Sequence, residues 1–294
     1  MANFTILTDS SCNLPDQLID ELGLVILPLR YMSDEEENLA YNPMEPTDLK
    51  AFYSNMREGT VYTTSLPYQD SSTETISKIF EAGQDILYIG FSSALSGTYE
   101  ATENSLFTLL EKYPGRKAFS IDTCAAALGQ GLLVVYAAAL RDAGKDIEEV
   151  HAWVQDNRLR IAHWFTVDDL MYLYRGGRVS RTSATAANIL SIKPVLQVNN
   201  EGRLIPLEKV RGRKRSIHAL FEHMKAGFDP SLSPHYIGIS HGDCLEDVDY
   251  LIGLIKADAN FSDCEIIVNL LDPVIGAHAG PGTLALFYYA QSRD

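Results

Sequence analysis

The stretch Asp85-Ile86-Leu87-Tyr88-Ile89-Gly90-Phe91-Ser92-Ser93-Ala94-Leu95-Ser96-Gly97-Thr98-Tyr99 decides how the rest of the chain is read. Residues 85–89 form a short apolar run of strand length. A loop of serine and glycine follows, and helical spacing then runs to about Tyr113. Outward from this strand–turn–helix unit, the same order recurs. Residues 4–7, 25–29 and 117–121 read as strands. Helices are expected from Pro15, from Pro46-Thr47-Asp48 to Arg57, near 68–82 and through the alanine-rich segment 125–140. This alternation predicts a mainly parallel sheet with helices on both faces.

A helix ending near Arg160 closes that half, and the pattern restarts. A strand is expected at 161–167, with helical pieces on both sides of Arg175-Gly176-Gly177-Arg178. Residues 193–198 and 203–210 read as a hairpin around Asn199-Asn200-Glu201-Gly202. A helix (213–227), a strand (235–240), a helix (245–256), a strand (265–271) and a last helix (282–291) follow. The fold expected is α/β with two domains. Residues 1–160 form the parallel-sheet domain and residues 161–294 a mixed α/β sheet domain, with a ligand between them. The length of 294 residues suits two domains of about 150 each.

Charge and cysteine usage exclude several classes of function. A net charge of −15 argues against nucleic-acid binding. Cys12, Cys124, Cys244 and Cys264 show no C-x-x-C spacing, so neither a metal site nor a redox motif is expected. Scattered thiols and the lack of a signal-peptide pattern suggest a cytoplasmic protein. The most apolar segment, AAALGQGLLVVYAAAL at 125–140, is shorter than the ~20 residues of a membrane span and is broken by Gly129-Gln130-Gly131. It reads as a buried helix, and no transmembrane segment is expected. No G-x-x-x-x-G-K-[ST] occurs, and no G-x-G-x-x-G follows a strand, so no nucleotide cradle is expected.

Three hydroxyl-rich or histidine-bearing clusters lie at strand ends, where open α/β sheets bind ligands. They are Thr63-Thr64-Ser65-Leu66-Pro67, Ser92-Ser93-Ala94-Leu95-Ser96-Gly97-Thr98, and Gly276-Ala277-His278-Ala279-Gly280-Pro281-Gly282. Taken singly, such serines and threonines read as helix caps. Taken together, hydroxyls, backbone N–H groups and one imidazole satisfy both oxygens of a carboxylate without a buried cation. A rival reading rests on Gly238-Ile239-Ser240-His241-Gly242. It matches G-x-S-x-G after a strand, with Asp272 and His278 later in the order of a serine hydrolase. Residues 158–215 hold 12 of the 24 Lys and Arg but four acidic residues. Within that segment Arg203, Lys209, Arg211, Arg213, Lys214 and Arg215 form a candidate docking surface.

In order, these motifs resemble the DegV family of fatty-acid-binding proteins across nearly the whole chain. The resemblance is carried by Thr8-Asp9-Ser10, Leu14-Pro15, Thr64-Ser65 with Pro67, Ser92-Ser93-x-Leu95-Ser96-Gly97-Thr98-Tyr99 and Gly129-Gln130-Gly131. It continues through Gly176-Gly177-Arg178-Val179-Ser180, Ile192-Lys193-Pro194-Val195-Leu196, Lys209-Val210-Arg211 and His278-x-Gly280-Pro281-Gly282. The resemblance implies a long-chain fatty acid in an internal tunnel between the domains. Thr64, Ser65 and Ser96 would bind its carboxylate, with His278 completing the network and Ser93 as a neighbour. Arg175 and Arg178 would stand at the mouth. It also implies a carrier with no catalytic residues and no cofactor. A separate ATP-dependent fatty acid kinase subunit would phosphorylate the presented carboxyl to an acyl phosphate. Leu66 and Tyr68 depart from the polar and small residues usual after Thr64-Ser65, and Cys12-Asn13 replaces a more acidic stretch. Burial at roughly 0.8 kcal/mol per CH2 gives an acyl chain of about 16 carbons ~12 kcal/mol before association costs. The tail would thus set affinity and the hydroxyls orientation.

Overall fold

The computed structural model describes residues 4–33, 36–180 and 192–293. Its first sheet is parallel, in the order β2-β1-β6-β7. The strands are β1 (Phe4–Asp9), β2 (Val25–Leu27), β6 (Asp85–Gly90) and β7 (Ala118–Asp122). Every residue of β1 is buried, as a central parallel strand covered on both faces requires. The helices of this half are α1 (Asp16–Glu21), α2 (Leu49–Arg57), α3 (Gln69–Glu81) and α4 (Thr98–Leu110). Between β2 and β6 lies a small antiparallel sheet of β3 (Arg30–Met32), β4 (Glu37–Leu39) and β5 (Thr63–Ser65), with β3 in the middle. The sequence reading missed this sheet. Its strands are three residues long, too short to show a period of two.

The alanine-rich segment forms α5 (Leu128–Asp142), followed by α6 (Ile147–Asn157). Residues 128–138 are all buried. The reason is position: α5 packs against β1 and β6 on one side and against strands of the second sheet on the other. That second sheet runs β10-β9-β8-β13-β11-β12. Its members are β8 (Ile161–Thr166), β9 (Ile192–Val198), β10 (Leu204–Arg211), β11 (Tyr236–His241), β12 (Glu265–Leu270) and β13 (Leu284–Tyr289). Only β11 and β12 pair in parallel. Its helices are α7 (Met171–Arg175), α8 (Arg213–Gly227), α9 (Leu245–Ala257) and α10 (Pro273–Ala279). The fold is therefore α/β with a parallel sheet and a separate mixed sheet domain, as the sequence implied.

One expected element is wrong in kind. Residues 282–291 read as the last helix, yet 284–289 form β13, antiparallel to both β8 and β11. All six of its residues are buried, so no alternation marks it. An apolar run closed on both faces has the same appearance in a buried helix and a buried strand. The helix lies earlier, as α10, with Pro273 in its first turn and Asp272 accepting from the N–H groups of Val274 and Ile275. Gly280 and Gly282, both at positive φ, turn the chain from α10 into β13. The helical piece expected after Arg178 lies outside the described residues. Among the described residues, no helix is long and apolar enough to cross a membrane.

Candidate functional site

Gly129-Gln130-Gly131 lets α5 lie against both halves at once. A Cβ on Gly129 would stand 2.0 Å from His163 Nε2, and one on Gly131 would stand 2.5 Å from the Cys12 carbonyl oxygen. Gln130 between them donates to Thr8 Oγ1 at 2.9 Å and to buried Asp9 at 3.2 Å. Just ahead of α5, at Ala126 and Ala127, the interior opens beside the second sheet into a cavity of about 320 Å³. Its wall is mainly apolar, with Phe91, Phe165, Leu173, Leu271, Val274 and Phe287 among its members. Thr64, Ser65, Ser96, Arg178 and His278 interrupt that wall. This composition, apolar with a few convergent polar groups, is that of a small-molecule site.

The polar groups arrive from four places, Arg178 from the turn that follows α7. Thr64 and Ser65 come from the edge strand β5, not from a loop after a strand as the sequence suggested. Ser96 comes from the turn between β6 and α4, as expected, where its Oγ accepts from the Thr98 N–H at 3.3 Å and lies 2.9 Å from Thr98 Oγ1. His278 comes from the last turn of α10, not from a loop. Thr64 and His278 lie 214 residues apart in sequence, yet Thr64 Oγ1 is 2.8 Å from His278 Nε2.

The histidine's proton can be placed. Arg178 Nη1 faces His278 Nδ1 at 3.5 Å. A guanidinium only donates, so Nδ1 accepts and Nε2 carries the proton toward Thr64. Burial, reinforced by the Arg178 charge, lowers the His278 pKa to about 4, so the ring is neutral at pH 7. Thr64 Oγ1, having accepted from His278, is left with its own proton to give to a ligand. Arg178 is itself anchored, donating through Nε and Nη2 to the Leu95 carbonyl at 3.1 and 2.9 Å. It thereby ties the Ser96 turn to the His278 side. Gly176 makes room for this: a Cβ there would stand 2.2 Å from His278 Nδ1.

Arg178, Thr64 and His278 also line a neighbouring space of about 280 Å³, to which Arg175 and Tyr172 contribute. The Arg175 guanidinium lies 5.7 Å from the centre of the Tyr172 ring. Ser93 does not join the cavity wall. Its hydroxyl donates to Asp122 Oδ2 at 2.5 Å and its N–H to Asp122 Oδ1 at 3.2 Å. It holds the turn instead of facing the interior.

Sequence reasoning missed His163 and Arg30. His163 lines the cavity, with Nδ1 donating to the Ile161 carbonyl at 2.8 Å and Nε2 accepting from the Ala126 N–H at 3.3 Å. Burial holds its pKa well below the ordinary value, and both nitrogens are occupied by backbone. The available signal was Gly129, a glycine inside a helix, which marks a close neighbour.

The serine-hydrolase reading is overturned. Ser240 lies in β11, between β12 and β13, with no exposure, and its hydroxyl donates to Asn13 Oδ1 at 2.7 Å. A nucleophile elbow needs an exposed turn. Asp272 caps α10, while the two ring nitrogens of His278 face Thr64 and Arg178. Of the basic segment, Arg203, Lys209, Arg211, Lys214 and Arg215 are exposed. Arg213 is not a free docking group. It donates to Asp247 at 2.8 Å and to the Gly282 carbonyl at 2.5 Å, pinning α8 to α9 and to the approach of β13. Among the described residues, no cluster of three or more His, Cys, Asp or Glu is placed to hold a metal ion.

A family model described as "Uncharacterised protein, DegV family" matches residues 3–291. The chain belongs to the DegV family. A DegV domain-containing protein of Clostridium perfringens is 40% identical, covering 100% of both chains. One from Streptococcus pyogenes is 33% identical over 98% of this chain and 99% of its own. Among solved structures, a DegV family protein from Thermus thermophilus, described by its fatty acid binding, has a TM-score of 0.85 at 28% identity. It covers 98% of this chain and 99% of its own. A Thermotoga maritima protein described as revealing a fatty acid binding function has a TM-score of 0.82 at 26% identity, covering 99% and 100%.

Proposed function

We propose that this DegV protein binds a long-chain fatty acid in the cavity beside α5, with the carboxylate held by Thr64, Ser65 and Ser96. His278 orients Thr64, and Arg178 orients His278. The observation that carries this reading is the 2.8 Å contact between Thr64 and His278 in a mainly apolar wall. The hydroxyls of Thr64, Ser65 and Ser96 offer protons to an anion, with the neutral imidazole turning Thr64 for that role, and Arg178 beside them is bound to the Leu95 carbonyl and not left bare in the apolar interior. The fatty acids bound by relatives of this fold support the same ligand class. Denaturing extraction of purified protein, followed by mass spectrometry, should release a fatty acid near one equivalent. Protein that is full-length, folded and free of lipid, and that takes up none when offered it, would refute the proposal.

The finer reading is that the protein is a cytoplasmic carrier without catalytic residues or a cofactor. It presents the bound carboxyl to a separate ATP-dependent kinase subunit, which forms the acyl phosphate. The space lined by Arg175, Arg178, Thr64 and His278 adjoins the head group and suits an approaching phosphoryl group. Exposed Lys209, Arg211, Lys214 and Arg215, with Arg203, offer the kinase a cationic docking face. Reversing the charge of Arg211 and Arg215 together should slow acyl-phosphate formation with the kinase and leave lipid content unchanged. Equal loss of both would remove the docking assignment.

A further inference from the structure

The departures Leu66 and Tyr68 sit beside an arginine that the reading above does not use. Arg30, in the middle strand β3, donates from Nη2 to Ser65 Oγ at 2.8 Å and from Nε to the Leu66 carbonyl at 2.8 Å. Its guanidinium lies 4.0 Å from the centre of the Tyr68 ring. Glu37 pairs with Arg30 and accepts from the Tyr68 hydroxyl at 2.8 Å. Ser65 and Leu66 line both the cavity and an outer groove of about 630 Å³ that also holds Arg30 and Tyr68. The segment 65–68 is therefore a partition between the cavity and the outside, fastened from without by Arg30.

We propose that Arg30 is a positioning residue for the head group: it turns the Ser65 hydroxyl proton inward as a donor to the ligand carboxylate, while Tyr68 and Glu37 hold its fork in place. A guanidinium has donors and no acceptor, so Ser65 Oγ accepts from Arg30. No other described residue accepts the Ser65 proton; Ser65 borders the cavity as well as the outer groove, and Arg30 approaches it from the groove side, which leaves the cavity side for the proton. The same cation stands one hydrogen bond behind the carboxylate and favours its charged form. Lysine cannot reproduce the arrangement, because one ammonium cannot span Ser65 Oγ and the Leu66 carbonyl while stacking on a ring. Tyr68 is thus explained as the platform for Arg30, and Leu66 as the wall residue whose carbonyl Arg30 fixes.

The inference rests on the fatty-acid reading. The test compares palmitic acid with 1-hexadecanol, which has the same tail and no charge, on delipidated protein at pH 8. In Arg30→Gln the preference for acid over alcohol should fall about tenfold, one charge-assisted hydrogen bond in size. Arg30→Lys should lose about threefold, and it carries the test if Arg30→Gln does not fold. In a Ser65→Ala background, Arg30→Gln should add nothing further to the loss. Equal weakening of acid and alcohol would make Arg30 a structural fastener only and overturn the proposal. An unchanged preference would overturn it too. Unaltered protein that binds neither compound would overturn the fatty-acid reading beneath it.

Discussion

Two groups of hydroxyl and histidine side chains in this molecule behave oppositely. One is Thr64, Ser96 and His278. The other is Ser240 and His241, with Asp272 nearby in sequence. As sequence they look alike, and the second carries the tighter motif. In the second, the serine and the histidine are bonded from within: Ser240 bonds Asn13, and His241 Nδ1 accepts from the Cys244 N–H at 3.3 Å. In the first, Thr64 and Ser96 line the cavity with hydroxyl protons to give. A spacing motif reports residue types, whereas function follows from which polar atoms remain unsatisfied beside open space.

This contrast predicts that the two groups fail in different ways. His278→Ala is expected to have the largest effect, because it removes the group that orients Thr64. Fatty-acid affinity should drop on the order of a hundredfold, near 3 kcal/mol, as the upper end for a bond to a charged acceptor. Equilibrium binding of a fluorescent fatty acid measures it. A drop below threefold would remove His278 from the head-group network.

Ser240→Ala should do the reverse. It leaves Asn13 Oδ1 without its donor in a fully buried strand, which costs about 1–3 kcal/mol of stability. Chemical denaturation should show that loss while lipid content per protein stays at one equivalent. Because no nucleophile is exposed there, a fluorophosphonate probe should label neither the variant nor the parent. Labelling that disappears with Ser240 would collapse the comparison. Ser96→Ala belongs to the first group, with a smaller effect of about tenfold in affinity, since it removes one hydroxyl from the cavity wall and leaves the Thr64–His278 pair in place. A fall in stability without a fall in affinity would move Ser96 into the second group.

Much of this was legible beforehand, for definable reasons. The strand at 85–89 and the Ser96 turn follow from local apolar spacing and turn residues. The pairing of Thr64 with His278 did not follow from spacing, because 214 residues separate them; the ordered resemblance joined them instead. Ser93 was misjudged because its neighbour Asp122 comes from the next strand, and no local pattern shows that contact. Arg213 looked like surface charge by composition, yet it is spent on Asp247 and the Gly282 carbonyl. Residues 284–289 show no alternation because burial is complete on both faces. The rest was lost where tertiary contacts, not periodicity, decide what a side chain meets.

Asp272 gives the finest test of the contrast, because a catalytic reading and a structural one require opposite charge states. A triad member must be ionised at neutral pH beside its histidine. Here burial, with Asp9 adding to it, pushes the Asp272 pKa from 3.8 up to about 7. Oδ1 is spent on capping α10, and Oδ2 is buried with no hydrogen-bond partner. The folded protein therefore holds this proton to higher pH than the unfolded chain does. Its contribution to stability is complete below pH 4 and is lost as pH rises through 7. Asparagine keeps the cap, since its Oδ1 accepts as well, and it cannot ionise. The lowered His278 pKa acts in the other direction, reducing stability as pH falls from 6.5 toward 4, but it is common to both proteins and cancels in their difference. The Tm of Asp272→Asn minus that of the parent should thus rise between pH 5 and pH 8, by at least about 2 °C. A difference that stays flat or falls over that range would mean Asp272 is ionised in the folded state, and the line drawn between the two groups would have to be redrawn.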